Sequence, residues 1–537
     1  MPLAILCLFL TLILQAAGPA FAQGGNAAAG SSREEPRFDV LEFVVEGNTV
    51  LSTLDIERAV YPFLGEAVTV ADVEKARAAL ENAYRDRGYP TVFVDIPEQR
   101  VDSGVVSLRV TEGRVGRKRI TGARYYSQGR IASQTSALAE GEVPYFPDVQ
   151  QEIGALNRGA DRQVTPVLRP GRGPGEVEVE LKIDDATPLH GSIDLNNRYS
   201  AGTEPLRLGV NLRYDNLWQR EHSIGLNYLT SPQDFSQVEV YALTYVIPFA
   251  ASGDALALYG VRSNSNVASI GDVNIVGQGV IAGLRYVMPL RAPAPRSHTF
   301  TAGIDYKDFD ENVGTGSQAF TTPISYTPLV AQYSGAYRDP ASTWQYSLGA
   351  NFSVRGLSDD IVDCGGQQLN EFSCKRFGAQ ANYFYLRGEV TNTRALPAGF
   401  EFFGRFSYQL TEQPLVANEQ FPIGGVDSVR GYTEFAFAAD YGYTGTVEAR
   451  TPLARGVADE RNGEVRGLAF YDFGLGRLND PLPGQIDRIN LASAGVGLRL
   501  KAWRTLLAAF DLAFPFDGTS QNSGRDPRVN FRVAYEF

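Results

Sequence analysis

The stretch L-R-L-G-V-N-L-R-Y-D, residues 206–215, alternates without interruption between apolar side chains and polar or small ones. In an extended strand successive side chains point to opposite faces, so the apolar residues share one face and Arg207, Arg213 and Asp215 share the other. Charged side chains along one face are tolerable where that face meets water. An apolar face against lipid and a charged face against a watery lumen are typical of a transmembrane β-barrel.

The same alternation recurs from about Pro188 to the end of the sequence, in segments separated by turn-forming clusters. Short connections such as 216–220 are expected in the periplasm, and long ones such as 411–438 at the cell surface. An even strand number, typical of single-chain bacterial barrels, places both ends of the barrel in the periplasm. Over 188–537 we predict sixteen antiparallel strands, near 189–199, 205–215, 221–230, 237–247, 255–264, 276–288, 298–308, 323–336, 344–355, 378–391, 400–410, 439–452, 465–474, 490–502, 504–514 and 528–537.

The last predicted strand, 528–537, ends on an aromatic residue. This ending resembles that of bacterial outer-membrane barrel proteins, whose last strand is read by the barrel-assembly machinery. We expect that assembly signal to comprise Phe531, Val533, Tyr535 and Phe537, which share one face of the strand.

The first residues indicate export from the cytoplasm. Residues 1–22 contain an apolar run and end in Ala20-Phe21-Ala22, which is typical of signal-peptide cleavage. The run is not preceded by Lys or Arg, so an uncleaved anchor is the alternative. Residues 23–36 are rich in Gly, Ala and Ser, and a flexible tail is expected there.

In an exported protein, two cysteines in one loop favour a disulfide bond. Cys364 and Cys374 both fall in the fifth long loop, between the ninth and tenth predicted strands. We expect them to be bonded to each other, with two free thiols as the alternative.

Composition argues against several functional classes. The net charge of -12 provides no basic surface for nucleic acid. After residue 22 no run approaches the ~18 apolar residues of a membrane-spanning helix. His190, His222 and His298 are scattered without the spacing of a metal site or a catalytic triad, and no glycine-rich phosphate loop follows a strand. We therefore expect no metal, cofactor or nucleotide, and no enzymatic activity.

Residues 37–113 and 114–187 each read as strand-helix-helix-strand-strand. In the first unit the predicted strands lie near 38–45, 91–96 and 104–111, and the helices near 53–61 and 70–87. In the second unit the strands lie near 115–120, 163–169 and 176–184, and the helices near 127–139 and 147–159. The expected architecture is therefore two small α+β domains followed by a sixteen-stranded antiparallel transmembrane barrel.

Two such units before a barrel of this size resemble the POTRA domains of two-partner secretion transporters of the FhaC, ShlB and HecB family. Phrases similar to family sequence are V-E-G-N-T at 45–49, R-G-Y at 87–89, and the barrel entry L-H-G-S at 189–192 with N-N-R at 196–198. The resemblance covers almost everything after the predicted signal peptide.

Two motifs carry the resemblance into the barrel. Val429-Arg430-Gly431-Tyr432 lies in the sixth long loop, and Phe470-Tyr471-Asp472-Phe473-Gly474 lies on the thirteenth predicted strand. By alternation Phe470, Asp472 and Gly474 share the face expected to line the lumen, where an arginine is a suitable bidentate partner for the aspartate. In the family the sixth loop folds into the lumen and its arginine meets that aspartate. The alternative is an exposed Arg430 and an Asp472 that is paired elsewhere.

The resemblance implies an outer-membrane transporter that binds an unfolded exoprotein in the periplasm through its POTRA domains and secretes it through the barrel. Expected partners are an exoprotein with an N-terminal secretion domain, outer-membrane lipid and lipopolysaccharide, and the barrel-assembly machinery during biogenesis. The alternative function is that of a BamA-like factor that inserts other barrels into the outer membrane.

Proline placement suggests where the exoprotein docks. Pro166 interrupts a strand of the second unit, as proline does in edge strands, whereas the equivalent run of the first unit contains none. An unbroken strand edge can bind an extended peptide through main-chain hydrogen bonds. The predicted docking edge comprises Thr91, Val92, Phe93, Val94, Asp95 and Ile96.

Overall fold

A computed structural model describes residues 36–101, 103–249, 252–270, 273–315, 318–354, 356, 360–364, 366–456, 463–518 and 526–537. The predicted signal peptide and the tail up to residue 35 lie outside this described part. In the described part no helix is both long and apolar enough to cross a membrane. The chain divides into two compact units, one containing the described residues up to Lys118 with 137–150 and 168–179, the other containing 119–136, 151–167 and 180–537.

The first β-α-α-β-β unit forms as predicted, with one additional strand pair. Strands β2, β5 and β4 form a sheet in that order, with β2 parallel and β4 antiparallel to β5, while β1 pairs with β3. The elements are β1 Phe38–Val40, β2 Glu42–Glu46, α1 Thr53–Val60, a 3-10 turn Tyr61–Phe63, β3 Gly65–Val68, α2 Val70–Asp86, β4 Val92–Asp95 and β5 Val105–Glu112.

Helix α2 shows why this unit folds. Thr69 and Asp72 form a capping box, in which each side chain accepts a hydrogen bond from the other residue's backbone N–H. The apolar stripe of α2 packs on the sheet, because the buried residues Leu80 and Tyr84 share one core with Val92 and other residues of β4 and β5.

The second β-α-α-β-β unit, predicted over residues 114–187, contains a sheet in the order β6, β8, β7. The strand that contains Pro166 therefore lies at an edge of this sheet. Its elements are β6 Arg114–Thr121, α3 Gln128–Ser133, a 3-10 turn Ser136–Leu138, α4 Phe146–Leu156, β7 Arg162–Pro170 and β8 Glu176–Asp185.

From residue 189 onward, the chain forms a closed antiparallel barrel with loop elements between its strands. In chain order the elements are β9 Leu189–Asn196, β10 Arg207–Leu217, β11 His222–Thr230, β12 Glu239–Pro248, β13 Ala255–Ile270, β14 Val273–Leu290, β15 Arg296–Thr315, β16 Gln318–Tyr326, β17 Pro328–Arg338, β18 Ser342–Ser353, β19 Ile361–Cys364, β20 Gln367–Asn370, α5 Glu371–Lys375, β21 Phe384–Ala395, a 3-10 turn Pro397–Gly399, β22 Glu401–Leu410, a 3-10 turn Ala417–Glu419, β23 Phe421–Ile423, β24 Phe437–Ala439, β25 Tyr441–Arg450, β26 Ala454–Arg455, β27 Glu464–Arg477, β28 Arg488–Ala502, β29 Leu506–Pro515 and β30 Arg528–Glu536.

Among the described residues the barrel wall has sixteen strands, which confirms the predicted number. Strands β16 and β17 pair with successive parts of β15 and are one wall strand interrupted at Thr327, while β26 continues β25 along β27. The barrel closes where β30 pairs with β9, from Arg532 opposite Asn196 to Glu536 opposite Ser192. Two short two-stranded sheets, β19 with β20 and β23 with β24, belong to loops and are not part of the barrel wall.

Strands β13, β14 and β15 are longer than predicted. Backbone pairing between β13 and β14 continues to Ile270 opposite Val273, whereas the prediction ended β13 at residue 264. The reason is that main-chain pairing can continue in water after the alternation required by lipid has ended.

The barrel has an apolar outside and a polar inside. On β27 Tyr471 is 45% exposed, while Asp472 beside it is fully buried. Large apolar side chains remain exposed on most wall strands, which suits contact with lipid. Examples are Leu243, Leu258, Ile304, Leu348, Phe406, Tyr443, Val496, Phe510, Phe514 and Val529.

Candidate functional site

The sixth loop, residues 411–440, folds back inside the barrel. Strands β23 and β24 form a short hairpin, and the Val429–Tyr432 motif lies between them. Val429, Arg430 and Tyr432 are each at most 3% exposed. The four motif residues therefore pack against the inner wall and do not extend into solvent.

Arg430 contacts the aspartate predicted as its partner. Its Nε donates to Asp472 Oδ2 at 2.7 Å, its Nη2 donates to Asp472 Oδ1 at 2.9 Å, and its backbone N–H donates to Oδ2 at 3.1 Å. The guanidinium carbon lies 3.5 Å from the ring centre of Phe470, the first residue of the F-x-D-x-G motif. Two residues of the wall motif thus bind one side chain of the loop.

Two further carboxylates surround Arg430. Its Nη1 lies 2.9 Å from Glu448 on β25 and 3.7 Å from Asp511 on β29. Glu448 also pairs with Arg450 at 2.8 Å, and Asp511 with Arg499 at 2.9 Å. These three acids and three arginines therefore form one ion-pair network, in which Arg430 and the three acids are buried and Arg430 is the member contributed by the loop. The sequence motifs did not reveal Glu448 and Asp511, because alternation places them in the lumen without identifying their partner.

The other motif residues fit the wall sterically. A Cβ atom on Gly474 would lie 3.0 Å from side-chain atoms of Ile423 and Val429, so the glycine leaves room for the loop. Gly431 has φ +94° and lies against Pro515 of β29, a conformation and a distance that favour glycine. The Tyr432 hydroxyl donates toward the carbonyls of Ala492 and Asp517 and accepts from Asp517 N–H at 3.2 Å.

Part of the fifth loop, within residues 371–383, also packs inside the lumen, which the sequence analysis did not predict. Cys364 and Cys374 are joined in a disulfide that links the β19–β20 hairpin to α5. Phe372 and Tyr383 of this loop are at most 2% exposed and share an apolar core with Leu415 of the sixth loop. The loops therefore pack on each other as well as on the wall.

Next to the tip of the sixth loop the lumen contains a cavity of about 610 Å³. Among its charged lining residues the basic ones outnumber the acidic ones, although the whole chain is acidic. The cationic residues are Arg405, Arg430, Arg450, Arg466, Arg499, Lys501 and Arg532, and the acidic ones are Asp427, Glu448, Glu464 and Asp511. This cavity borders Arg430, so displacement of the loop tip would extend it.

Strand β4 lies at the edge of its sheet, where the docking edge was predicted, but the edge is partly occupied. The Arg77 side chain donates to the Val94 carbonyl at 3.1 Å, and the Val92 N–H donates to Tyr89 O at 3.3 Å. Val92 and Val94 are buried, whereas Phe93 is 56% exposed. Thr91 and Ile96 flank the four-residue strand.

The C-terminal residues predicted as an assembly signal lie on β30 and at its end. Phe537 exchanges two backbone hydrogen bonds with Gly191 of β9, at 2.9 and 3.0 Å. A Cβ atom on Gly191 would lie 2.2 Å from the Phe537 ring, so the ring covers this glycine. Tyr535 is 49% exposed on the outside of the barrel.

Within the described residues, one group of His and Asp side chains has its ligand atoms close enough together to bind a metal ion. His190 Nε2 lies 2.9 Å from Asp161 and 3.6 Å from Asp215. Asp215 also accepts hydrogen bonds from Arg213 at 2.8 Å and from Ser223 at 2.5 Å. These contacts join the three side chains to Arg213 and Ser223 in one hydrogen-bonded network. The sequence analysis missed it because its members are far apart in the chain.

Comparison with known proteins agrees with this arrangement. Residues 38–113 match the model of the POTRA domain, ShlB-type, and residues 175–500 match that of the haemolysin secretion/activation protein ShlB/FhaC/HecB. The heme/hemopexin transporter protein HuxB of Haemophilus influenzae is 20% identical over 90% of this chain and 84% of its own. The outer membrane transporter CdiB of Dickeya dadantii is 26% identical over 76% of this chain and 71% of its own.

Among solved structures, CdiB from Escherichia coli superposes with a TM-score of 0.64 at 19% identity, covering 96% of this chain and 93% of its own. This likeness shows the fold. The family match, which spans more than half of the sequence, shows the relationship. The chain therefore belongs to the ShlB/FhaC/HecB haemolysin secretion/activation family, as an outer-membrane transporter of two-partner secretion with its POTRA domains in the periplasm.

Proposed function

We propose that this transporter secretes an unfolded exoprotein through the barrel lumen, and that the sixth loop must move off Asp472 to let the polypeptide pass. The observation that carries the proposal is the burial of Arg430 among three wall carboxylates, Asp472, Glu448 and Asp511. A loop fixed by charge in this way leaves only when its ion pairs are exchanged for others. A charged polypeptide entering the basic cavity beside Arg430 can supply such an exchange.

The exoprotein docks first on the POTRA domains. Strand β4 offers an edge to which an extended segment can add, and the exposed ring of Phe93 offers an apolar contact beside it. The edge is open only in part, because Arg77 occupies the Val94 carbonyl. Docking therefore replaces the Arg77 hydrogen bond with main-chain bonds from the N-terminal secretion domain of the exoprotein.

Two further partners follow from the barrel exterior. Exposed apolar residues such as Val496 and Phe510 contact outer-membrane lipid, and the surface loops contact lipopolysaccharide. During biogenesis the assembly machinery recognises Phe531, Val533, Tyr535 and Phe537.

The test uses a strain that lacks this transporter but makes its candidate exoprotein, a secreted protein with an N-terminal secretion domain. We expect the exoprotein to be absent from the medium, and to return when the transporter is restored. The amounts of unrelated outer-membrane barrels should not change. A general loss of those barrels, with the exoprotein still secreted, would overturn the proposal in favour of a BamA-like assembly function.

A further inference from the structure

Three surface loops meet at one buried carboxylate near the start of β25. Asp440 is fully buried, and it binds the Arg376 guanidinium of the fifth loop through both carboxylate oxygens, with Arg376 Nη2 at 2.6 Å from Oδ2. Its Oδ1 also accepts from Leu415 N–H at 3.1 Å, within the sixth loop. Its Oδ2 accepts from Asn479 N–H at 2.7 Å, in the seventh loop.

Arg376 makes the same connections from the other side. Its guanidinium also donates to the carbonyl of Leu415, and at 3.1 Å to that of Asn479. Planar donors and a carboxylate in this bidentate arrangement give the strongest type of side-chain ion pair. We name the Arg376–Asp440 pair the clasp. It is separate from the Arg430–Asp472 pair and shares no residue with it.

An apolar core lies beside the clasp. It is formed by Phe372 and Tyr383 of the fifth loop, Leu415 of the sixth, and inward residues of the wall such as Phe309 and Tyr326. Next to this core, Glu419 of the sixth loop accepts hydrogen bonds from the hydroxyls of Tyr326 and Tyr385 at 2.6 and 2.7 Å. The fifth and sixth loops together therefore form a packed body inside the lumen.

The disulfide restrains the segment that carries the clasp. Cys374 lies in α5, two residues before Arg376, and its bond to Cys364 closes the β19–β20 hairpin onto that helix. A covalent link of this kind reduces the conformations available to Arg376 when it is not bound to Asp440.

From these contacts we infer that the fifth loop is a second plug of the channel, and that Arg376 is the positioning residue that holds it shut on Asp440. Translocation then requires two separate releases, that of Arg430 from Asp472 and that of Arg376 from Asp440. The inference rests on the proposed passage of the exoprotein through the lumen. Its test does not, because ion conductance can be measured without any exoprotein.

The experiment compares full-length wild type with Arg376→Gln and Asp440→Asn in planar lipid bilayers. Because removing one partner strands the other charge in a buried site, we expect the open-to-closed ratio of the channel to rise about 100-fold in either variant. The double variant should add little more, since both changes break one pair. Folding is checked by heat-dependent mobility on gels.

Arg285→Gln is the matched control. Arg285 forms an equally bidentate lumenal pair with Asp305, at 2.6 and 2.8 Å, but both residues belong to the wall and neither touches a surface loop through this pair. We expect wild-type gating from this variant. Conductance like that of the wild type in both clasp variants would overturn the inference, and so would equal opening in Arg285→Gln.

Reduction of the wild type with dithiothreitol provides a test without substitution. Opening of the channel on reduction, reversed by reoxidation, is expected because Arg376 loses its restraint. An unchanged channel would overturn the role assigned to the disulfide. If the clasp variants open the channel while the exoprotein is secreted by another protein, the gating inference stands and the proposed function fails.

Discussion

Arg430 of the sixth loop donates three hydrogen bonds to Asp472 of the barrel wall, two from its guanidinium and one from its backbone N–H. Both residues are shielded from water, since Arg430 is 3% exposed and Asp472 is fully buried. The two side-chain bonds require the guanidinium group of an arginine. The backbone bond requires that the loop lie close to the wall. Gly431 permits that approach.

Arg430→Ala is predicted to release the loop tip while the barrel stays intact. Breaking a buried ion pair by removing one partner typically costs ~3–5 kcal/mol, because the remaining charge has lost its counter-ion. Productive passage requires the loop to leave Asp472 and to bind it again afterwards, so a loop that cannot rebind is expected to lower secretion more than about tenfold, with normal amounts of folded transporter in the outer membrane. Secretion is measured as exoprotein in the medium, and folding by heat-dependent mobility.

Arg430→Lys and the double variant Arg430→Ala with Asp472→Ala test the electrostatic reason. Lysine keeps the charge but cannot form the bidentate pair, so an intermediate loss is expected. The double variant removes both charges and should lose less than the sum of the single losses. Strict additivity of the two single variants would show that the residues do not act as a pair.

Gly474→Ala is predicted to displace the sixth loop sterically. The added methyl group would lie 3.0 Å from Ile423 and Val429, and overpacking of this kind typically costs about 1–3 kcal/mol. Gly225→Ala is the matched control, because a Cβ atom there has its nearest neighbour at 3.9 Å. We expect increased proteolysis of the sixth loop in Gly474→Ala alone. Equal protection in both variants would contradict the steric role of Gly474.

Strand number, the POTRA-like units and the lumenal face of Asp472 could be predicted because each rests on local periodicity. Alternation fixes which residues share a face, and lipid permits only one of the two faces to carry charge. The wall strands accordingly lie close to where the sequence placed them, apart from the longer ends of β13 to β16 and from β21, which begins at Phe384 and not at residue 378. These ends lie where alternation no longer constrains the chain.

The partners within the lumen could not be predicted in the same way. Arg376 and Asp440 are separated by 64 residues and lie in irregular segments, where no periodicity relates one to the other. Strand alternation places Glu448 and Asp511 on the lumenal face, but several arginines on that face could have paired with them. The fifth loop was expected at the surface because its length gave no sign of the apolar core around Phe372.

The helical signal of the first POTRA unit is predicted to depend on pH through Asp72. A hydrogen bond from Lys75, and next those from Thr69, lower the pKa of Asp72 from 3.8 to about 2. Its folded pKa is depressed, so its contribution to stability is present above pH 3.8 and is lost as the pH falls to about 2.

Asp72→Asn removes this titration and provides the comparison. Thermal unfolding of full-length protein is followed by circular dichroism at a helix-sensitive wavelength, from neutral to strongly acidic buffer. The wild type should unfold at a higher temperature than the variant near neutral pH, and the difference should vanish as the pH approaches 2. A difference that stays constant over this range would rule out the carboxylate as its source.

The docking edge on β4 leads to two variants with opposite expected effects. In a strand the N–H and C=O of one residue point to the same side, and the bond from Arg77 indicates that those of Val94 point away from β5. Val94→Pro therefore removes an outward donor without breaking the ladder to β5. Arg77→Ala instead frees the outward carbonyl for an incoming strand.

We expect Val94→Pro to weaken binding of the purified secretion domain, and Arg77→Ala to strengthen it by about fivefold, the value of one ordinary hydrogen bond. Because Val94 is buried, circular dichroism must first show that the proline variant retains its helices. Binding is measured by calorimetry on full-length transporter in detergent. Leu168→Pro on edge strand β7 is the control and should bind like the wild type, because by alternation with Val164, whose N–H and C=O bond Asn157, its N–H points away from β8. A folded Val94→Pro variant with wild-type affinity would place docking on another surface, because main-chain addition at this edge requires the donor that proline lacks.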